Sequence, residues 1–419
     1  MKTSIILIIS SFLLAASCSK EETPKVQKDN NGIIVSMPYQ WKCALHLSTP
    51  VSSSGILNPI YYKGNIVIPI TNGGTNRLLA MINSNNGDIL WKWDDRYEKT
   101  YEDVSISYYY QFNNLLTYQN GGKSYCINLD NGTTYWKHRG DTVFDVRIYP
   151  DNNGYYFMLG EILNKQGYKE FPVFRFDINT GKYSEFISAN YSGNYIAPDN
   201  MIGATGNINR VPGNDSLYSL TSAEPLPNWN VNSFLGLYNQ YSKKWVYERI
   251  LMAKPTQNTS VFTPPQIYNG KVYANCGYSI VCHDVATGKQ LWTRDFGADF
   301  MFSGFIIAEN KLIGSCENQM LYCVNPDNGT ILWQTKGSGT SSRLAYLNGI
   351  VYFIGGGDGK LHAVEVSTGK TVWLLDAKSI DGTIFASYNP VFVFPAADGK
   401  PARVIALTLS NACCFEAYK

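Results

Sequence analysis

Charge is scarce in this 419-residue chain. Asp, Glu, Lys and Arg make up 16% of it, against about 25% in an ordinary globular protein. The 35 basic and 33 acidic residues nearly cancel, leaving a net charge of +2. No block of one sign stands out, so nucleic-acid binding and polybasic membrane recruitment lack their electrostatic footprint. The four histidines (His46, His138, His283 and His362) are scattered, without paired metal spacing or a Cys-x-x-Cys-His haem site. No nucleophile–base constellation is visible, so no catalytic residue and no metal ligand is assigned. Amphipathic helical segments of convincing length are missing too, which leaves an all-β reading.

What the chain has in abundance is Tyr (30) and Gly (36), the currency of aromatic strands and glycine turns. It also has an eleven-residue repeat. Cys282–Trp292 reads CHDVATGKQLW, and the same pattern returns at Met81–Trp91, Cys126–Trp136, Cys323–Trp333 and Ala363–Trp373. Each copy has a small or apolar first residue, Asp, Asn or Glu third, Thr or Asn sixth, Gly seventh and Trp eleventh. The residues before the acidic position favour strand. The Asx-x-x-Thr/Asn-Gly step is turn chemistry, with the Asx side chain capping and Gly taking a positive φ. The stretch from Gly to Trp starts the return strand, so each copy predicts a β-hairpin ending in a large aromatic anchor. Asp177, Asp284, Asn83 and Asn325 recur from copy to copy, which assigns them to turn capping rather than catalysis.

Two weaker copies extend the series. Arg175–Gly181 keeps the turn but places Glu185 where the Trp belongs. Leu237–Lys243 loses the Gly and ends with Tyr247 at the anchor position. Seventh positions then fall at Gly87, Gly132, Gly181, Lys243, Gly288, Gly329 and Gly369, at intervals of 40 to 49 residues with one of 62. A period in this range with four short strands per unit predicts propeller blades. The long interval holds Asn190 to Trp229, rich in Gly, Asn and Pro, and predicts one blade with a longer surface loop. Between copies, Pro265–Ala274, Ile307–Gly314 and Leu347–Ile354 predict the first two strands of a blade, joined at an Asn-Gly or Glu-Asn turn.

Seven blades lie inside the chain, and the ends supply an eighth. After Trp373, Phe385 to Phe394, Ala402 to Leu409 and Cys413 to Ala417 predict three strands with no closing tryptophan strand. Near the other end, Gln40-Trp41-Lys42-Cys43 is a tryptophan strand with no hairpin before it. Pairing the two closes the ring and leaves no free edge. The predicted fold is an all-β, eight-bladed propeller of four-stranded antiparallel blades, spanning 39–419.

Ahead of it, residues 1–17 predict a signal peptide: Lys2, an apolar core from Ile5 to Leu14, and the small residues Ala15-Ala16-Ser17 before Cys18. The apolar run is too short for a permanent span. A cysteine in this place resembles a bacterial lipobox, with Ala15 where Leu is usual and Leu14 one position earlier. The resemblance implies lipid attachment at Cys18, with ordinary signal cleavage as the alternative. Residues 18–38 predict a flexible polar tether. Ser19 favours the outer membrane, and Lys20-Glu21-Glu22 resembles an acidic surface-export signal as well as a plain linker.

The eleven-residue pattern resembles the tryptophan-docking motif of the pyrroloquinoline-quinone (PQQ) dehydrogenase-like propellers, over residues 40–419. The resemblance implies that Trp41, Trp91, Trp136, Tyr247, Trp292, Trp333 and Trp373 are docking aromatics. Gly87, Gly132, Gly181, Gly288, Gly329 and Gly369 are implied to be their partners. It also points to the branch of lipidated, eight-bladed scaffolds in the outer-membrane barrel-assembly machinery, which carry an N-terminal tryptophan strand. Length, lipobox and the place of Trp41 favour that branch.

The cysteines separate the options further. Cys126, Cys282 and Cys323 stand at first positions of the motif, where Ala363 stands in another copy, and so predict small packing residues. Cys414 is expected in the same slot of the eighth blade. Cys413-Cys414 resembles the vicinal disulfide of some quinoprotein dehydrogenases, but strand alternation points adjacent side chains to opposite faces. Gly355–Gly359 has the composition of a phosphate loop, yet no helix follows it, and a hairpin turn is the better reading.

Three function classes follow. The favoured one is a non-catalytic, lipid-anchored scaffold binding envelope or outer-membrane proteins, without cofactor, on the periplasmic face or the cell surface. A quinone-dependent dehydrogenase, using PQQ and calcium, is the alternative. A glycan-binding propeller using tyrosines around Asn190 to Trp229 as a stacking surface is the third. Ligand-binding residues are not assigned.

Overall fold

The computed structural model describes residues 24–46, 58–71, 77–98, 109–120, 122–140, 143–163, 169–170, 172–188, 205–225, 231–253, 261, 263–298 and 304–418. The signal segment and Cys18 lie outside the described residues. Among the described residues, thirty-five strands and one short helix, Lys378–Asp381, make up the regular structure. The strands form eight antiparallel sheets, one per blade, four-stranded but for additions to two of them.

The regular blades show why the sequence folds this way. In the fifth, strands Gln266–Tyr268, Lys271–Cys276, Ser279–Asp284 and Gln290–Asp295 pair in sequence order. The two middle strands are buried almost throughout, whereas the outer one is mostly exposed. The middle strands are covered on both faces by neighbouring blades, so they read as continuous apolar runs rather than alternating ones. The first two strands are joined at Asn269 (φ 48°) and Gly270 (φ 70°). Both turn residues are left-handed, which matches the twist of a tight hairpin and explains the Asn-Gly choice.

The ring closes through the chain ends. Trp41–Ala44 pairs antiparallel with the C-terminal strand Asn411–Glu416, placing Trp41 opposite Cys414. Cys414 thereby occupies the slot that Cys126, Cys282 and Cys323 hold elsewhere. The innermost eighth-blade strand is Phe392–Phe394, shorter than the sequence implied; Phe385 makes only an isolated bridge to Thr408.

Two stretches differ from the sequence reading. The tether expected to reach residue 38 contains strands Gln27–Lys28 and Ile34–Ser36, and the latter adds to the seventh blade in parallel, Ile34 beside Trp373. That strap fills an outer edge, and Ile34, Met37 and Tyr39 pack on the same cluster as Trp373 and Val372. The long loop expected over Asn190 to Trp229 is also corrected. Its described part forms strands Thr205–Arg210 and Leu217–Pro225, the first two of the fourth blade. Tyr218 there is fully buried, in contact with Phe157 and Phe186. A sequence rich in Gly, Asn and Pro concealed strands whose apolar residues cover a neighbouring blade.

Candidate functional site

Each regular blade fastens to the next through one aromatic residue. Trp292 lies opposite Cys282 on its own sheet, and its Nε1–H donates to the Pro326 carbonyl at 2.9 Å on the following blade. Its ring covers Gly329, so closely that an added Cβ would lie 2.7 Å from Cε3. Trp333 repeats this on Val366 (2.9 Å) and Gly369, and Trp91 on Leu129 (2.9 Å) and Gly132. Trp136 bonds Ile178 at 2.7 Å over Gly181, and Trp41 bonds Ser84 at 3.1 Å over Gly87. Tyr247 makes the same contact with a hydroxyl in place of the indole N–H, donating to Val285 at 2.9 Å beside Gly288. The acceptor is always the fourth residue of the next motif. A main-chain carbonyl leaves no mark on side-chain choice, so this acceptor is not legible in the residues.

Five of the docking blades, those ending in Trp91, Trp136, Tyr247, Trp292 and Trp333, carry a β-bulge one residue before the anchor. In the fifth, Cys282 pairs Trp292 and His283 pairs Gln290, leaving Leu291 unpaired. The bulged residues Leu90, Tyr135, Val246, Leu291 and Leu332 are all exposed on the outer rim. The turns behind them are capped as the motif implies: the Asp284 carboxylate accepts from Thr287 N (2.9 Å) and Oγ1 (2.7 Å). These bonds hold its carboxyl below the usual range.

The third blade breaks the rule. Its bulge lies two residues later, because Phe174 pairs Glu185 and Val173 pairs Ile187, which leaves Phe186 as the bulged residue. Glu185 is exposed, while Phe186 packs on Phe157, Tyr218 and Tyr238 at 4.8 to 5.8 Å. An ion cluster crosses the same boundary. The fully buried Asp151 carboxylate accepts from Arg175 of its own blade at 2.7 Å and from Arg210 of the fourth blade at 2.7 and 2.8 Å. Tyr218 also faces Asp151, at 3.2 Å. The seventh blade departs in another way: Trp373 is buried by the N-terminal strap, and its Nε1 has no hydrogen-bond partner.

On the propeller axis lies a cavity of about 440 Å³, lined by residues from seven blades. Its polar groups include Asn58, Asn209, Gln266 and Arg343, set among Pro59, Pro150, Pro264, Pro265 and Phe305. None of its described lining residues is a carboxylate or a tryptophan.

Comparison with known proteins matches residues 244–335 and 317–411 to a family model described as outer membrane protein assembly factor BamB. The chain is an eight-bladed β-propeller that resembles BamB over this stretch. It is 28% identical over 159 residues to the outer membrane protein assembly factor BamB of Shewanella oneidensis, a stretch covering 34% of this chain and 40% of that relative. Among solved structures, BamB from Moraxella catarrhalis superposes with a TM-score of 0.54, 12% identity, 88% of this chain and 98% of that one. A quinohemoprotein alcohol dehydrogenase from Pseudomonas putida superposes with a TM-score of 0.60, 10% identity, 91% of this chain and 76% of that one. At such identities the structural likenesses speak for the fold alone.

The quinone chemistry found elsewhere on this fold needs hard oxygen donors for calcium and a flat ring to carry the cofactor. The described axial lining offers the amide oxygens of Asn58, Asn209 and Gln266 and the rings of Tyr109, Tyr149 and Phe305 but no carboxylate, and no group of three His, Cys, Asp or Glu side chains gathers among the described residues. The cysteines likewise carry no redox site among the described residues: all eight are free thiols. Cys413 packs in the cluster between blades seven and eight, and Cys414 in the one between eight and one. Burial raises the thiols of Cys282 and Cys323 to about 11, and of Cys126 and Cys414 to about 12, so they stay protonated and inert near neutrality.

Proposed function

We propose that this protein is a non-catalytic, lipid-anchored scaffold of the cell envelope that docks outer-membrane proteins. The observation that carries the reading is the match of residues 244–411 to the barrel-assembly factor. The lipobox-like Ala15-Ala16-Ser17-Cys18 and the polar stretch after it supply an anchor and an outer-membrane address. The closed ring of fastened blades offers a rigid platform, and no carboxylate or tryptophan stands among the described residues lining the axial cavity. Of the tyrosines in the stretch that prompted the glycan reading, Tyr218 lies in the core, while Tyr191 and Tyr195 fall outside the described residues.

A pull-down from detergent-solubilised membranes tests the reading. Recovery of barrel-assembly proteins with the tagged chain is the expected result; their consistent absence sinks it. Dye reduction that requires both PQQ and calcium would overturn the non-catalytic part. Labelling with palmitate should disappear in Cys18→Ala, and unchanged labelling would remove the anchor.

A further inference from the structure

A second cavity, of about 400 Å³, opens between the sixth and seventh blades, away from the axis. Its walls are Gln319, Lys336 and Ser338 on one side, Asp358, Lys360 and His362 on the other, with Ile33 of the N-terminal strap at its edge. The volume falls within the range of small-molecule sites.

The frame is rigid. Gly355–Gly359 forms the hairpin between Ile350–Ile354 and Lys360–Glu365, pressed against the segment that leads out of the sixth blade. A Cβ on Gly356 would lie 2.0 Å from the Thr340 carbonyl oxygen, so the glycines are there for close approach. The hairpin's amides are spent on this contact. Gly356 N donates to Thr340 O, Gly357 N to Ser338 O at 3.0 Å, and Asp358 N to Ser338 Oγ at 2.9 Å. The loop is therefore a latch and not a phosphate nest. Anything bound in the cavity is recognised by side chains.

Two of those side chains carry ammonium groups. Lys336 and Lys360 have no carboxylate partner among the described residues. The one carboxylate in the wall, Asp358, is committed to His362 Nε2 at 3.0 Å, which helps hold its carboxyl low against the opposing effect of burial. His362 is 3% exposed, stacked on Phe353 at 4.5 Å, and its other ring nitrogen, Nδ1, is buried with no partner. Nδ1 is sealed from solvent, so it is the two ammonium groups without a carboxylate partner that favour an anionic occupant.

We propose that this inter-blade cavity binds a small organic anion, its carboxylate or phosphate held by Lys336 and Lys360 and its body resting on Ile33 and Leu374. His362 lies beside the bound molecule and reports its arrival.

The test titrates the intact soluble chain with glucose, glucuronate and glucose 1-phosphate, by calorimetry and by NMR of labelled histidine. Saturable binding of at least one anion, no binding of glucose and movement of the His362 signal are expected; which anion binds separates a carboxylate from a phosphate ligand. Lys336→Glu/Lys360→Glu should weaken binding more than about tenfold, the loss of charged hydrogen bonds, with an unchanged melting temperature. Lys370→Glu, on the same blade but outside the cavity, should bind as wild type. Failure of both anions, equal binding of glucose, retained affinity in the double variant or equal loss in Lys370→Glu each overturns the proposal.

Discussion

The boundary between the sixth and seventh blades and the one between the third and fourth solve the same problem differently. In the first, the Trp333 ring presses on Gly369, whose φ of 74° and missing side chain make room for it. In the second, Glu185 turns to solvent, and the matching seventh position is Lys243, which keeps the left-handed turn at φ 51° yet carries a full side chain. Tryptophan and glycine are lost together. The glycine is demanded less by the turn than by the ring above it: where no ring docks, a lysine is tolerated at the same backbone angle. Phe186 and the Asp151–Arg210 pair take over the contact. The general fastening relies on shape and one carbonyl bond, the substitute on a buried charge.

That difference can be tested by removing each fastening. The largest effect is expected from Asp151→Ala. It takes the buried carboxylate away from Arg175 and leaves Arg210 only its exposed partner Asp215, at a cost of about 3 kcal/mol. Chemical denaturation should show the loss directly. A cost below about 1 kcal/mol would mean that Phe186 alone holds this boundary. Next comes the contrast between Gly329→Ala and Lys243→Ala. The first places a Cβ 2.7 Å from the Trp292 ring at a φ of 72°, costing about 2 kcal/mol from overpacking and strain. The second keeps a Cβ where one already sits and should stay within about 0.5 kcal/mol. Equal costs would refute the coupling of ring to glycine.

Much of the fold was legible because the docking motif constrains side chains. Gly and Trp spacing gave the hairpins, the number of blades and the closure through Trp41; first-position cysteines gave the slot of Cys414. The illegible parts are those where the backbone or tertiary packing decides. The acceptors at Ser84, Leu129, Ile178, Val285, Pro326 and Val366 are carbonyls, indifferent to residue type. The third blade preserves the spacing Asp177–Gly181–Glu185, so its text still points to position 185. Only the register of the sheet, set by how Phe186 packs, shows that the bulge has moved. The strands at 205–225 and the strap at 27–36 are covered by neighbours distant in sequence, which local composition does not record. The inter-blade cavity combines a glycine hairpin with lysines 24 positions apart, Lys336 and Lys360, joined only by the fold.

The smallest effect is the sharpest test of that last reading. If sequence position alone set the anchor, Glu185→Trp would restore docking to the fourth blade, more so with Lys243→Gly to clear the space. The observed register predicts otherwise. Residue 185 pairs with Phe174 and faces solvent, so a tryptophan there gains little burial, and both the single and double variants should stay within about 0.5 kcal/mol of the parent. Phe186→Ala, one residue on, should cost about 2 kcal/mol, since it empties the contact with Phe157, Tyr218 and Tyr238. Thermal melts of these variants decide the matter: a gain in Glu185→Trp that needs Lys243→Gly would show that the bulge can slide back, making the register a consequence of the missing tryptophan rather than its cause.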